Sequence, residues 1–164
     1  MIRKHIKYWL SISFGFLLFL ILISFDTAYC EIIGQIKPRS GANSFNTYAW
    51  DGKVIKPKTG MTCEKTWNFN GKKVRKSCGA TSSNTYSWNG KRFRPMTGAT
   101  NSNTFIWNGT ELKRQTSSTS SNTWAFDGHY WSLKQGATDT NSWVVSGFVP
   151  IPVCVLIILR LNSH

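Results

Sequence analysis

Acidic side chains are scarce in this chain: seven Asp and Glu stand against twenty Lys and Arg in 164 residues, with three His. That shortage limits the chemistry before any motif is read. Beyond residue 30 the histidines are His129 and His164, too few and too far apart for a His-based triad or a clustered metal site. Asp51 and Asp127 are explained by turns, and Glu64, Glu111 and Asp139 have no evident carboxylate partner. A two-carboxylate hydrolase site therefore has weak support. The expectation is a protein that is not an enzyme and that holds no metal and no cofactor.

What the chain has in quantity is positive charge. Three of the cations (Arg3, Lys4, Lys7) and one acid (Asp26) precede Glu31, leaving seventeen against six and a net charge of about +11 over Glu31 to His164. Such a surface attracts polyanions. The N-terminus tells where it would meet them. A basic head, "MIRKHIKYW", leads into the apolar run Leu10 to Phe25 and the polar exit "DTAYCE", which is the pattern of a secretory signal peptide cut after Cys30. The run is a little long for a signal and short for a full span, so a retained N-terminal membrane anchor is the alternative. Tyr29 before Cys30 fits a lipoprotein signal badly. The partners expected of an exported chain are anionic envelope polymers or lipid headgroups rather than nucleic acid, with the membrane reached through the N-terminal segment if it stays attached.

From residue 46 the chain repeats itself. "NTYAWDGK" from Asn46 is followed by "KTWNFNGK" from Lys65, "NTYSWNGK" from Asn84, "NTFIWNGT" from Asn103, "NTWAFDGH" from Asn122 and "NSWVVSGF" from Asn141. Every step is nineteen residues without insertion, so each copy occupies an equivalent slot of an array or a closed ring. Asp51-Gly52, Asn70-Gly71, Asn89-Gly90, Asn108-Gly109 and Asp127-Gly128 are dipeptides favoured by a two-residue type I′ hairpin turn. On that reading Trp88 faces Lys91, Tyr86 faces Phe93 and Asn84 faces Pro95, while Ser87, Arg92 and Arg94 point the other way. One face is aromatic and one is polar or basic. Because a lone hairpin is marginal in water, the aromatic faces are expected to share a core.

The fold class expected is all-β: six tandem 19-residue β-hairpin repeats, in a compact radial flower- or propeller-like ring or a solenoid, after an N-terminal hydrophobic helix. The domains are 1–30, signal or anchor, and 31–164, the repeat domain. A half copy around Pro38, which aligns with Pro57, could close the ring beside the last strand. Gly60, Gly79, Gly98 and Gly136 mark the connections in register, and Ser117 breaks that register, which suggests a looser connection there. The tail "FVPIPVCVLIILRL", residues 148–161, reads as a buried strand in preference to a membrane segment. Cys63 and Cys78 are expected to face each other as a disulfide, with two free thiols as the alternative. Cys154 reads as a buried small hydrophobe.

The motif "NTW/Y-x-W/F-N/D-G-K…P-x-TGATSS", together with "VSGFVPIPV", resembles the bacterial 4-fold beta flower family over about Gly34 to Val153. The resemblance implies a radial β-fold in envelope or exported proteins and brings no catalytic or binding residues. The repeats also look somewhat like choline- and glucan-binding cell-wall repeats, whose aromatics after the turn cage a quaternary ammonium. Here those positions read "KVIKP", "KKVRK" and "KRFRP", with "HYWSL" coming nearest. The resulting expectation is an envelope-associated binding or structural module. Lys72, Lys73, Arg75, Lys76, Lys91, Arg92 and Arg94 form its basic patch. One alternative is an aromatic glycan binder using Trp88, Trp107 or Trp131, and another is a membrane-anchored scaffold with no soluble ligand.

Overall fold

Each hairpin is set by its turn. In the computed structural model, which describes residues 31–161, Asn70 Oδ1 accepts the backbone N–H groups of Lys72 and Lys73 at 3.1 and 2.8 Å. Asn89 does the same to Lys91 and Arg92 at 3.1 and 2.7 Å. Gly71 and Gly90 hold φ of 88° and 89°, whereas the residues before them stay at negative φ. A type I′ turn needs positive φ at both central residues, so the expected Asn-Gly turn is replaced by one centred on Gly and the residue after it. Trp88 therefore pairs with Phe93, Ser87 with Arg94 and Tyr86 with Pro95. Each partner lies two residues beyond the expected one. A slip of two leaves every side chain on its face, so the aromatic and basic faces stay as read.

The strands are β1 (Gly34–Pro38), β2 (Tyr48–Trp50), β3 (Val54–Pro57), β4 (Trp67–Phe69), β5 (Lys73–Lys76), β6 (Thr85–Trp88), β7 (Arg92–Pro95), β8 (Phe105–Trp107), β9 (Glu111–Arg114), β10 (Trp124–Phe126), β11 (Tyr130–Leu133) and β12 (Trp143–Gly147). They form a closed antiparallel barrel in the order β1-β12-β11-β10-β9-β8-β7-β6-β5-β4-β3-β2. Five hairpins follow one another along the chain. The sixth pairing joins the two ends: β12 meets β1, with Pro38 opposite Trp143 just as Pro57 is opposite Tyr48. The half copy thus closes the ring, and the solenoid alternative, which leaves open edges, is not what forms.

Closure explains the tail. Pro150 falls nineteen residues after Trp131, on the register of Ile55, Val74, Phe93 and Leu112, but β1 already fills that place with Ile36. Neither Pro150 nor Pro152 can donate to a ladder. Instead of the expected buried strand, Ile151–Ile158 form a helix, α1, with proline in its first turn, where a missing N–H costs nothing. Val153 to Ile158 are each at most 3 % exposed and share one core with Ile36, Ile55, Val74, Phe93, Leu112 and Trp131. A helix that is apolar all round is buried all round; α1 fills the barrel.

The end of the barrel opposite the Gly turns is held by side chains of the repeat. The hydroxyls of Thr66, Thr85, Thr104, Thr123 and Ser142 each donate to the carbonyl four residues earlier, at 2.6–2.7 Å. Asn84 accepts from the Thr81 N–H at 2.7 Å and donates to the Gly79 carbonyl at 3.0 Å. Ser117 does not loosen its connection, contrary to the expectation: it adopts φ of 59°, like the glycines, and its carbonyl accepts from Asn122 at 3.0 Å. Cys63 and Cys78 are disulfide-bonded with Cα atoms 5.4 Å apart. Cys63 starts a short 3₁₀ turn ahead of β4, so the pair faces across two connections and not across a strand ladder. The expected signal or anchor, and the helix expected within residues 1–30, lie outside the described residues.

Candidate functional site

Alternation along the short strands puts two surfaces on view. The first is the outer wall of β5 to β9. Lys73 lies opposite Ser87, and Ser87 in turn lies opposite Arg94. Arg75 is opposite Thr85, and Arg92 and Lys113 both flank Ile106. Strand spacing puts Lys73 and Arg94 about 10 Å apart across β6. Among the described residues none of these cations is in a direct ion pair, although the charge of Lys113 acts on Glu111; the ion pairs are Arg39 with Asp139, Lys56 with Asp51, and Lys134 with Glu111 at 2.8 Å. The Lys134 hydrogen bond holds the Glu111 carboxyl below its usual range, so the nearest acid on this wall is already engaged.

The structure divides the expected basic patch. Lys73, Arg75, Arg92 and Arg94 share the outer wall, and Lys113, which sequence reasoning missed, joins them. Its signal was available, because it stands nineteen residues after Arg94. Lys72 and Lys91 lie instead in the turns. Lys76 has the parity of the inward face and sits over the Trp67 ring at 5.7 Å, so it leaves the stripe.

The second surface is a recess at the turn end. A cavity of about 580 Å³ opens between the wall, where Phe69, Trp88, Trp107 and Phe126 line it, and the segment entering α1. The expected aromatic set is divided as well. Trp88 and Trp107 are half-buried and line this recess, whereas Trp131 is fully buried, stacked on Phe126 at 4.7 Å. A residue so enclosed cannot present its face to a glycan. Behind it Cys154 is fully buried, and desolvation pushes its thiol up to about 12. The thiolate that would act as a nucleophile is absent at neutral pH.

The barrel strands have three to five residues, against about 9–11 for a membrane-crossing strand. No helix among the described residues is long and apolar enough to cross a membrane. No family model, curated protein or solved structure matches this chain.

Proposed function

We propose that residues 31–164 are a non-enzymatic binding module of the cell envelope that engages anionic polymers or headgroups through the outer wall of β5 to β9. One observation carries the reading: Lys73, Arg75, Arg92, Arg94 and Lys113 lie on the alternate strands β5, β7 and β9, and Lys113, beside Glu111, is the one of the five with an acid close by among the described residues. A polyanion bridging several such cations gains from each, although each exposed contact is weak. Export rests on the N-terminal pattern, and the family reading is that the six hairpin units form a flower-like ring akin to the beta flower repeats. The glycan alternative draws less support, because the recess at Trp88 and Trp107 offers no side-chain hydroxyl, amide or charge to a sugar.

The test is sedimentation of the full chain with isolated envelopes and with soluble polyphosphate, at low and high salt. Binding that falls with salt, and that falls about fivefold when Arg75→Glu and Arg94→Glu are combined, is the expected result. Binding insensitive to salt, or displaced by a neutral glycan, would overturn it.

A further inference from the structure

The turn-end recess arises from one departure in the repeat. Trp50, Phe69, Trp88, Trp107 and Phe126 stand nineteen residues apart, and the sixth position of that ring is Val145. Val145 lines the cavity together with Phe148, Val149, Pro150 and Ile151. A small side chain where five aromatics stand leaves space beside the entry to α1, and the volume of about 580 Å³ falls within the range of ligand pockets, about 300–1,000 Å³.

The lining decides what could enter. Its side chains are aromatic, aliphatic, proline or glycine, so the indole N–H groups are its sole polar side-chain atoms. A sugar ring would leave hydroxyls unpaired there, at a cost of about 1–3 kcal/mol each. A hydrocarbon chain would lose nothing and would bury apolar surface. The rim supplies the opposite character. Lys72 and Lys91 follow Gly71 and Gly90, which line the cavity, and both are exposed. The turn aspartates at this end, Asp51 and Asp127, already accept turn amides at 2.6–3.0 Å through Oδ1. Beside the rim, Ile33 and Phe148 are 46 % and 66 % exposed, and their backbones are joined by a 3.1 Å hydrogen bond.

We propose that this cavity binds the hydrocarbon chain of an anionic amphiphile, with its head group held at the rim by Lys72 and Lys91. The shared chemistry is an acyl chain bearing a carboxylate or phosphate, whether a free fatty acid or a bilayer lipid. The site is separate from the outer wall, so this proposal and the polyanion reading can fail independently.

Contact quenching of tryptophan fluorescence by a dibrominated stearate tests it on the full chain. Saturable quenching is expected, and most of it is lost when Trp88→Phe and Trp107→Phe remove the reporters while keeping the ring aromatic. Combining Lys72→Glu with Lys91→Glu weakens stearate binding about fivefold but leaves the uncharged methyl ester unaffected. Val145→Phe, which restores the aromatic of the other copies, fills the recess and abolishes binding. Brominated phosphatidylglycerol vesicles separate the sources: quenching of Trp88 and Trp107 by vesicles assigns a bilayer lipid, and quenching by stearate alone assigns the free acid. Quenching that persists without Trp88 and Trp107, or that is equal in a folded Val145→Phe protein, would overturn the proposal. So would a lysine-pair effect of equal size on acid and ester. Arg75→Glu with Arg94→Glu should leave quenching unchanged.

Discussion

Ser117 holds φ of 59° at a place where the neighbouring copies use glycine, and its carbonyl still receives the Asn122 amide. A β-carbon in the left-handed region costs about 1–2 kcal/mol, partly offset because serine loses less backbone entropy on folding than glycine does. Ser117→Gly should therefore stabilise the barrel by about 0.5–1 kcal/mol in denaturant unfolding, with no change in denaturant sensitivity. Cys154 makes a prediction of the opposite kind. Its thiol titrates near 12 when folded against an ordinary 9.0, raised by desolvation and eased slightly by Trp131. Above pH 9 the unfolded chain releases this proton while the folded chain keeps it. The contribution is thus complete below about pH 9 and is lost as pH rises towards 12. Stability should fall in that window by about 1.4 kcal/mol per pH unit more than in Cys154→Val, which has no thiol to titrate. Equal slopes for the two proteins would mean that the thiol is not buried as described.

At the scale of elements, the connection before β4 is the one that lacks the asparagine clamp. Lys65 stands where Asn84, Asn103, Asn122 and Asn141 bridge their loops, and the Cys63–Cys78 disulfide ties that connection to the next. A loop of this length gains about 3 kcal/mol from a crosslink, and a clamp of two hydrogen bonds is worth about 1–2 kcal/mol. Reducing the disulfide should then cost less in Lys65→Asn than in the natural chain, measured as the difference in unfolding free energy with and without reductant. Equal costs would separate the two devices. The same scale shows what the sequence could and could not tell. Hairpins, faces and ring closure were legible because they recur every nineteen residues, and recurrence survives a register error of two. The turn centre was not, because Asn-Gly also serves a turn in which the asparagine side chain takes the amides and stays at negative φ. The helix was missed because an element apolar on every side carries no period; Pro150 and Pro152 were the signal against a strand. The outer-wall cations were legible through alternation. The recess was not, since it depends on one valine meeting a helix whose position no repeat announces.

The whole molecule balances a ring of twelve strands against a helix that fills it. Barrel diameter grows with strand number, and α1 with its side chains needs about 10 Å. Deleting residues 84–102 would join Ser83 to Asn103 in register and remove β6 and β7 without disturbing any other turn. Two strands fewer take about 10 Å from the circumference and about 3 Å from the diameter. Barrel cores are close-packed, so that loss cannot be absorbed by rearranging side chains alone, and overpacking of this size costs more than the helix gains. The ring should close on ten strands with α1 expelled. In a Cys30→Ser background with the disulfide intact, Cys154 reports the outcome directly. In the twelve-strand chain it should resist a maleimide until the protein unfolds, and in the ten-strand chain it should react in the folded state while strand content per residue is kept. If Cys154 stayed protected in a folded ten-strand protein, the helix would not be what sets the number of repeats. If it reacts, the count of six units follows from the helix they must enclose, and closure by β1 is the step that makes that enclosure complete.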